Sequence, residues 1–189
     1  DHRDLHSFPT RRSSDLEYGI PIRWTVFPLH PEIPEQGVEL AALFPNRKRD
    51  DAPAGKGRIR TAAEELGLPL GEKRTTVSNS RRAQELGKWA EAMGKGELFR
   101  RAAFHAYFVE GRNIALLPVL EEICRAAGLP ADQVVDVLEN GRFADAVDAD
   151  WRRAREFGIL AVPFFLYGEE ALAGFHPFED FRKLLGKGA

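Results

Sequence analysis

Cys124, His30, His105 and His176 are the side chains between residues 17 and 189 with nucleophilic or imidazole chemistry near neutral pH. Cys124 is the only cysteine, so no internal disulfide is possible. It stands in "PVLEEICRAAG", where Leu120, Ile123, Cys124 and Ala127 recur at i, i+3, i+4 and i+7. That spacing puts the thiol on the inner face of a helix, where cysteine behaves as a small hydrophobe. His30, in "PLHPE", follows an alternating run and is placed for a proton shuttle or a substrate contact; a loop histidine between prolines is the other reading. His105, inside a helical stretch, and His176, ahead of the last helix, read as structural. Three scattered histidines and one buried cysteine make no metal site, so no metal is expected. A glycine-rich phosphate loop and a G-x-S-x-G motif are also missing. Pro163 is a candidate of another kind. Val162-Pro163 opens an apolar run, as a strand-initiating trans proline or as a cis proline.

The elements that position these residues follow from periodicity. "PIRWTVFPL" (21–29) alternates Ile22, Trp24 and Val26 with Arg23, Thr25 and Phe27, which predicts a strand ending at Pro28. A short helix is expected around Val38–Leu43, and "PNRKRDDAPAGKG" (45–57) reads as loop. Helical stripes then follow over Arg58–Leu66, from Asn79 or Ser80 to Met93, and over Glu97–Val109, Val119–Ala127, Asp132–Glu139 and Phe143–Phe157. Asn79 has the look of an N-cap and Asn113 that of a turn residue; a substrate or glutathione contact is open for both. After Gly158 the period changes to that of strands. "ILAVPFFLYG" and "ALAGF", joined through "EE", predict a β-hairpin, and Pro177 opens a final helix. A lone strand cannot bury itself, so residues 21–29 are expected to share a sheet with the hairpin. The helical block is then an insertion between two halves of one α/β layer.

The chain has 27 Lys and Arg against 29 Asp and Glu, a net charge of −2, which gives no electrostatic reason to expect a nucleic-acid or membrane partner. Residues 1–16, "DHRDLHSFPTRRSSDL", carry no apolar run at either spacing and no signal-peptide core. A reading frame of a widely used sequencing-library adapter encodes the same string. The segment is therefore expected to be adapter-derived and non-native, and the fold is read from Glu17 onward.

Four stretches taken together carry a resemblance: "IRWTVFPLHPE" (22–32), "NSRRAQELGKWAEAMGKGELF" (79–99), "YFVEGRNI" (107–114) and "FGILAVPFFLYGEEALAGFHP" (157–177). In order and spacing they resemble the DsbA-like branch of thioredoxin folds, which includes FrnE-type oxidoreductases and 2-hydroxychromene-2-carboxylate isomerases. The resemblance implies an α/β, thioredoxin-like fold with a large helical insertion, here lacking the family's first strand, Cys-x-x-Cys and first helix. Residues 17–45 and 157–189 would be the thioredoxin-like halves and 46–156 the helical insertion domain. It implies a thiol–disulfide oxidoreductase as the parent protein, whose Cys-x-x-Cys precedes the residues present, so this fragment would be inactive and holds no catalytic residue of its own. The alternative is a glutathione-dependent isomerase or transferase, in which serine commonly replaces the first motif cysteine and the bound cofactor thiol is the nucleophile. The resemblance makes Pro163 a cis proline and gives the Val162 backbone the role of pairing with an extended substrate; His30 is the third substrate-binding candidate. Partners would be a thiol or disulfide substrate or a glutathione conjugate, with no nucleic acid or membrane, and a homodimer remains open. Apart from glutathione no cofactor is implied, and the FrnE-type members imply a cytoplasmic location.

Overall fold

Apolar side chains at helical spacing assemble one continuous core. Ala83, Leu86, Trp89 and Ala90 line one face of α3 (Arg81–Ala92) and are buried. They meet Phe99 and Ala103 of α4 (Gly96–Phe104), Leu120, Ile123 and Cys124 of α5 (Leu117–Ala126), and Val134 and Val137 of α6 (Val134–Glu139). α7 (Ala144–Glu156) packs on α3, where Trp151 Nε1 donates to Gln84 Oε1 at 2.7 Å and Asp150 pairs with Lys88; Val147 and Ala154 of α7 are buried. Burying each of the large side chains among them stabilises by about 1.5–3 kcal/mol, and most of the buried apolar residues among those described lie in this block. Met93, expected on the same inner stripe, is half exposed at the end of α3.

These contacts come from a computed structural model that describes residues 19–43, 54–71 and 75–186. The segment assigned to adapter, 1–16, the proposed domain boundary at 45–46 and the first part of the expected loop 45–57 lie outside the described residues. From Ala54 the chain is already helical: α2 runs Ala54–Glu65, four residues ahead of the expected start at Arg58.

The helix ends follow local chemistry. Pro118 sits in the first turn of α5, where a missing N–H costs nothing. Gly128 closes that helix with φ +72°, and the Leu129 amide donates to the Cys124 carbonyl at 2.8 Å. After α4 the backbone widens into a π-helical turn, His105–Val109. Gly71 lies against it: its amide donates to the Phe108 carbonyl at 2.9 Å, and a Cβ there would sit 2.1 Å from the Val109 carbonyl oxygen.

The sheet expectation is corrected. Two separate two-stranded antiparallel sheets are present among the described residues. β1 (Val38–Glu39), which runs directly into α1 (Leu40–Leu43), pairs with β2 (Thr76–Val77), with Val38 opposite Val77. β3 (Phe164–Tyr167) pairs with β4 (Glu170–Ala173) as the expected hairpin, turning at Gly168–Glu169. Residues 21–29 form no strand and join neither sheet. Their backbone groups are taken up by helix side chains. Asp150 Oδ2 accepts from the Val26 amide at 3.0 Å, Gln84 Nε2 donates to the Phe27 carbonyl at 2.9 Å, and Lys88 Nζ donates to the Trp24 carbonyl at 3.4 Å. These three bonds hold the segment on α3 and α7.

α8 (Phe178–Gly186) closes the chain against β4. Phe181 and Leu184 are buried there, and the Phe165 and Phe181 rings meet edge to face at 4.8 Å. No described helix is long and apolar enough to cross a membrane.

Candidate functional site

Val162 and Pro163 lie in the bend that leads into β3. Their peptide bond is cis. The Pro163 carbonyl accepts from the Gly174 amide at 2.8 Å, so the bend is tied to the residue after β4. Val162 itself is different. Among the described residues no hydrogen bond takes up its amide or its carbonyl. Its side chain is half exposed, and Leu160 is 91% exposed. Phe157, Leu166 and Phe175 are also exposed, so the hairpin and its approach carry several large apolar side chains in water. A backbone with open hydrogen-bonding groups beside exposed apolar side chains can receive an extended peptide by strand addition.

His176 stands at the end of the same hairpin. Its Nδ1 lies 3.0 Å from Asp180 Oδ2 and its Nε2 lies 3.0 Å from the Ala173 carbonyl. The bond to Asp180, then that to Ala173, holds the imidazole pKa above its ordinary range, and His176 in turn holds the Asp180 carboxyl below its own.

His30 sits in a separate loop. Its Nδ1 is 3.3 Å from Glu32 Oε1, and its carbonyl accepts from the Ile33 amide at 3.3 Å. Both asparagines singled out in the sequence fasten this loop. Asn79 Oδ1 accepts from the Arg81 amide at the start of α3, and its Nδ2 donates to the Pro31 and Ile33 carbonyls at 3.1 and 2.8 Å. Asn113 Oδ1 accepts from the Ala115 amide, and its Nδ2 donates to the Glu35 carbonyl at 2.8 Å. Each therefore closes a local turn with its Oδ1 and tethers the loop with its Nδ2. Among the described residues no hydrogen bond or ion pair joins His30 to Val162 or Pro163. His105 pairs with Glu110 at 3.3 Å on the far side of the π turn.

Cys124 is fully buried, and burial pushes its thiol pKa up to about 12. It has neither the exposure nor the thiolate of a nucleophile. No group of His, Cys, Asp and Glu among the described residues could hold a metal ion.

One polar cluster was not legible as such. Asp150 is buried on α7, with Lys88 Nζ 2.5 Å away and Arg23 at 3.8 Å. Its position between Val147 and Ala154 on the inner stripe of α7 is the signal that marks it. An open cleft of about 460 Å³ lies beside it, lined by Arg23, Trp24, Lys88 and Arg100 among others. Its cations are already paired: Arg100 with Glu91 and Glu97, and Lys88 with Asp150.

The sequence profile of the DSBA-like thioredoxin domain matches residues 4–186. The chain belongs to this family. The match begins inside the stretch that the sequence assigns to adapter. Solved structures agree on the fold. A probable DsbA oxidoreductase from Streptomyces coelicolor superposes with a TM-score of 0.83 at 24% identity, covering 94% of this chain and 81% of that one. A 2-hydroxychromene-2-carboxylate isomerase gives 0.63 at 19% identity, over 95% and 86% of the two chains. A putative protein disulfide isomerase from Nitrosomonas europaea gives 0.63 at 16%, over 95% and 87%. Among curated proteins, YwbO of Bacillus subtilis is 28% identical over 87 residues, 46% of this chain and 44% of YwbO. The match thus spans less than half the length of that relative. Among the described residues the DsbA-like domain is helix-rich, with its few short strands in two small ladders.

Proposed function

We propose that the parent protein is a thiol–disulfide oxidoreductase of the FrnE type, and that the open backbone at Val162 is where it holds an extended substrate. That backbone, beside exposed Leu160 and Phe175, is the observation that carries the reading. Family membership supports the reaction class. The chemistry needs two thiols, and this chain has one, buried. On this reading the dithiol belongs to a Cys-x-x-Cys in sequence preceding Glu17. Its first thiolate attacks one sulfur of the substrate disulfide. The substrate S–S bond breaks, a mixed disulfide forms, and the departing sulfur takes a proton. The second cysteine then attacks the mixed disulfide, which releases the reduced substrate and leaves the protein oxidised. Residues 17–45 and 157–189 would frame the site, and the helical block 46–156 would shape access to it. The protein would work in the cytoplasm.

A second reading draws on the same cysteine count. A glutathione-dependent isomerase or transferase takes its thiol from the bound cofactor and needs none of its own, which suits a chain with only a buried thiol. Reading the parent gene upstream of the codons for "IRWTVFPLHPE" separates the two. Cys-x-x-Cys after a short apolar strand supports the oxidoreductase. Serine at the first motif position overturns it in favour of the glutathione-dependent enzyme, and neither motif overturns both.

A further inference from the structure

His176 connects the candidate substrate bend to solvent pH through two hydrogen bonds. Its ring nitrogens each face an acceptor: the Asp180 carboxylate at 3.0 Å and the Ala173 carbonyl at 3.0 Å. A neutral imidazole has one N–H and can satisfy only one of them; the imidazolium has two and satisfies both. Ala173 ends β4 and stands opposite Phe164, the first residue of β3. The next residue, Gly174, donates its amide to Pro163. The ring therefore grips the backbone one residue before the hydrogen bond that fixes the bend.

We propose that His176 is a positioning residue: as the imidazolium it clasps β4 to α8, and through Ala173 and Gly174 it holds the Val162–Pro163 bend in its substrate-facing shape. Loss of the ring proton releases one side of the clasp. If Nδ1 keeps its hydrogen for Asp180, Nε2 becomes an acceptor opposite the Ala173 carbonyl, and two lone pairs face each other. The bend then loosens as pH rises.

The charged surroundings suit this role. From α8, Asp180 faces the ring directly, and Lys183 Nζ donates to the other carboxylate oxygen at 3.4 Å, which keeps that carboxylate oriented. β4 presents the Ala173 carbonyl; its one charged residue, Glu170, is at the opposite end of the strand. β3 contributes Tyr167 as its titratable residue, paired across the ladder with Glu170 and so also at the far end. Asp180 is thus the carboxylate that pairs with the imidazolium.

The proposal rests on the substrate-facing reading of Val162 for its purpose, but its test does not. On the full chain, nitrogen NMR of the His176 ring is followed together with the protection factor of the Gly174 amide, from pH 5 to pH 9 and without ligand. Both ring nitrogens should carry protons at the acid end of this range, held there by Asp180 and the Ala173 carbonyl. Gly174 protection should fall about three- to tenfold across the His176 titration, the scale of one hydrogen bond. Asp180→Asn should move the titration to lower pH and carry the protection step with it; His176→Gln should abolish the step. A ring singly protonated at pH 6, or Gly174 protection that stays level through the titration, overturns the proposal. Addition of a thiol-blocked extended peptide is a separate arm. If the step is present and no peptide binds, the clasp stands and the substrate-facing reading fails.

Discussion

Lys88 Nζ lies 2.5 Å from Asp150 Oδ2, with the aspartate side chain 4% exposed and the lysine 12%. The same carboxylate oxygen accepts from the Val26 amide, so one buried ion pair fixes both the α3–α7 contact and the segment that leads to His30. Removing Asp150 leaves the largely buried Lys88 ammonium with the longer ion pair to Glu91, at 3.5 Å, and takes the acceptor from the Val26 amide. Asp150→Ala should cost about 3–5 kcal/mol in chemical denaturation. Replacing both, Asp150→Leu with Lys88→Met, should recover much of that loss. A single variant within about 1 kcal/mol of the native chain would show that the pair does not hold the segment.

Cys124 should be silent. With its pKa at about 12 through burial, it should resist a thiol-labelling reagent at pH 8 in the native protein and react once the chain is unfolded. Insulin reduction by the full chain should not exceed that of Cys124→Ser. Turnover above that control would contradict the assignment of catalysis to thiols outside this chain.

Asn79, one residue ahead of the α3 N-cap Ser80, accepts from the Arg81 amide in a local turn and holds the Pro31 and Ile33 carbonyls. Asn79→Ala should cost about 1–2 kcal/mol, because the turn's acceptor and both loop tethers go together. Asn79→Asp keeps the acceptor and loses the donors. It should retain the turn to Arg81 and still free the loop, which hydrogen exchange at the Ile33 amide would report.

Stability should peak in mildly acidic solution. His176 has a raised pKa in the fold through Asp180 and Ala173, so its contribution is complete below the ordinary imidazole value of about 6.5 and is lost as pH rises through the folded value. Asp180, Asp148 and Glu122 are held below the usual carboxylate range by His176, Arg81 and Arg112. Their contributions are complete above the ordinary carboxylate values of about 4 and are lost as pH falls through the lowered ones. Melting temperature should therefore be highest between about pH 4.5 and 6.5. The alkaline decline should be absent in His176→Gln, and a decline unchanged by that substitution would assign it elsewhere.

The physical reasons for what the sequence disclosed differ element by element. The helical block was legible because its stripes are regular: Ala83, Leu86, Trp89 and Ala90 repeat over about two turns, and each lands in the core. The hairpin was legible because the period changes at Gly158. Residues 21–29 misled because alternation reports a chain with one side packed and does not name what packs on it. Trp24 lies under the Arg100 guanidinium at 4.4 Å, and the backbone is met by Asp150, Gln84 and Lys88, residues too distant in sequence to read. β1 and β2 have two residues each, too few for a pattern. The π turn leaves no periodic trace, since its buried Ala106 follows Phe99 and Ala103 at ordinary helical spacing. At the candidate site, Cys124 was placed correctly by spacing. His176 was read as structural because its two acceptors come from different elements. The role given to Val162 came from resemblance, and no spacing argument reaches it.

Titration of the full chain with a thiol-blocked extended peptide, followed at the backbone amides by NMR, tests the central claim most directly. The account places the first and largest shift at the Val162 amide, with smaller ones at Gly174 and Phe175 and none at Cys124. Shifts confined to the cleft beside Trp24 and Arg100, or a Val162 amide that stays fixed at millimolar peptide, would contradict it.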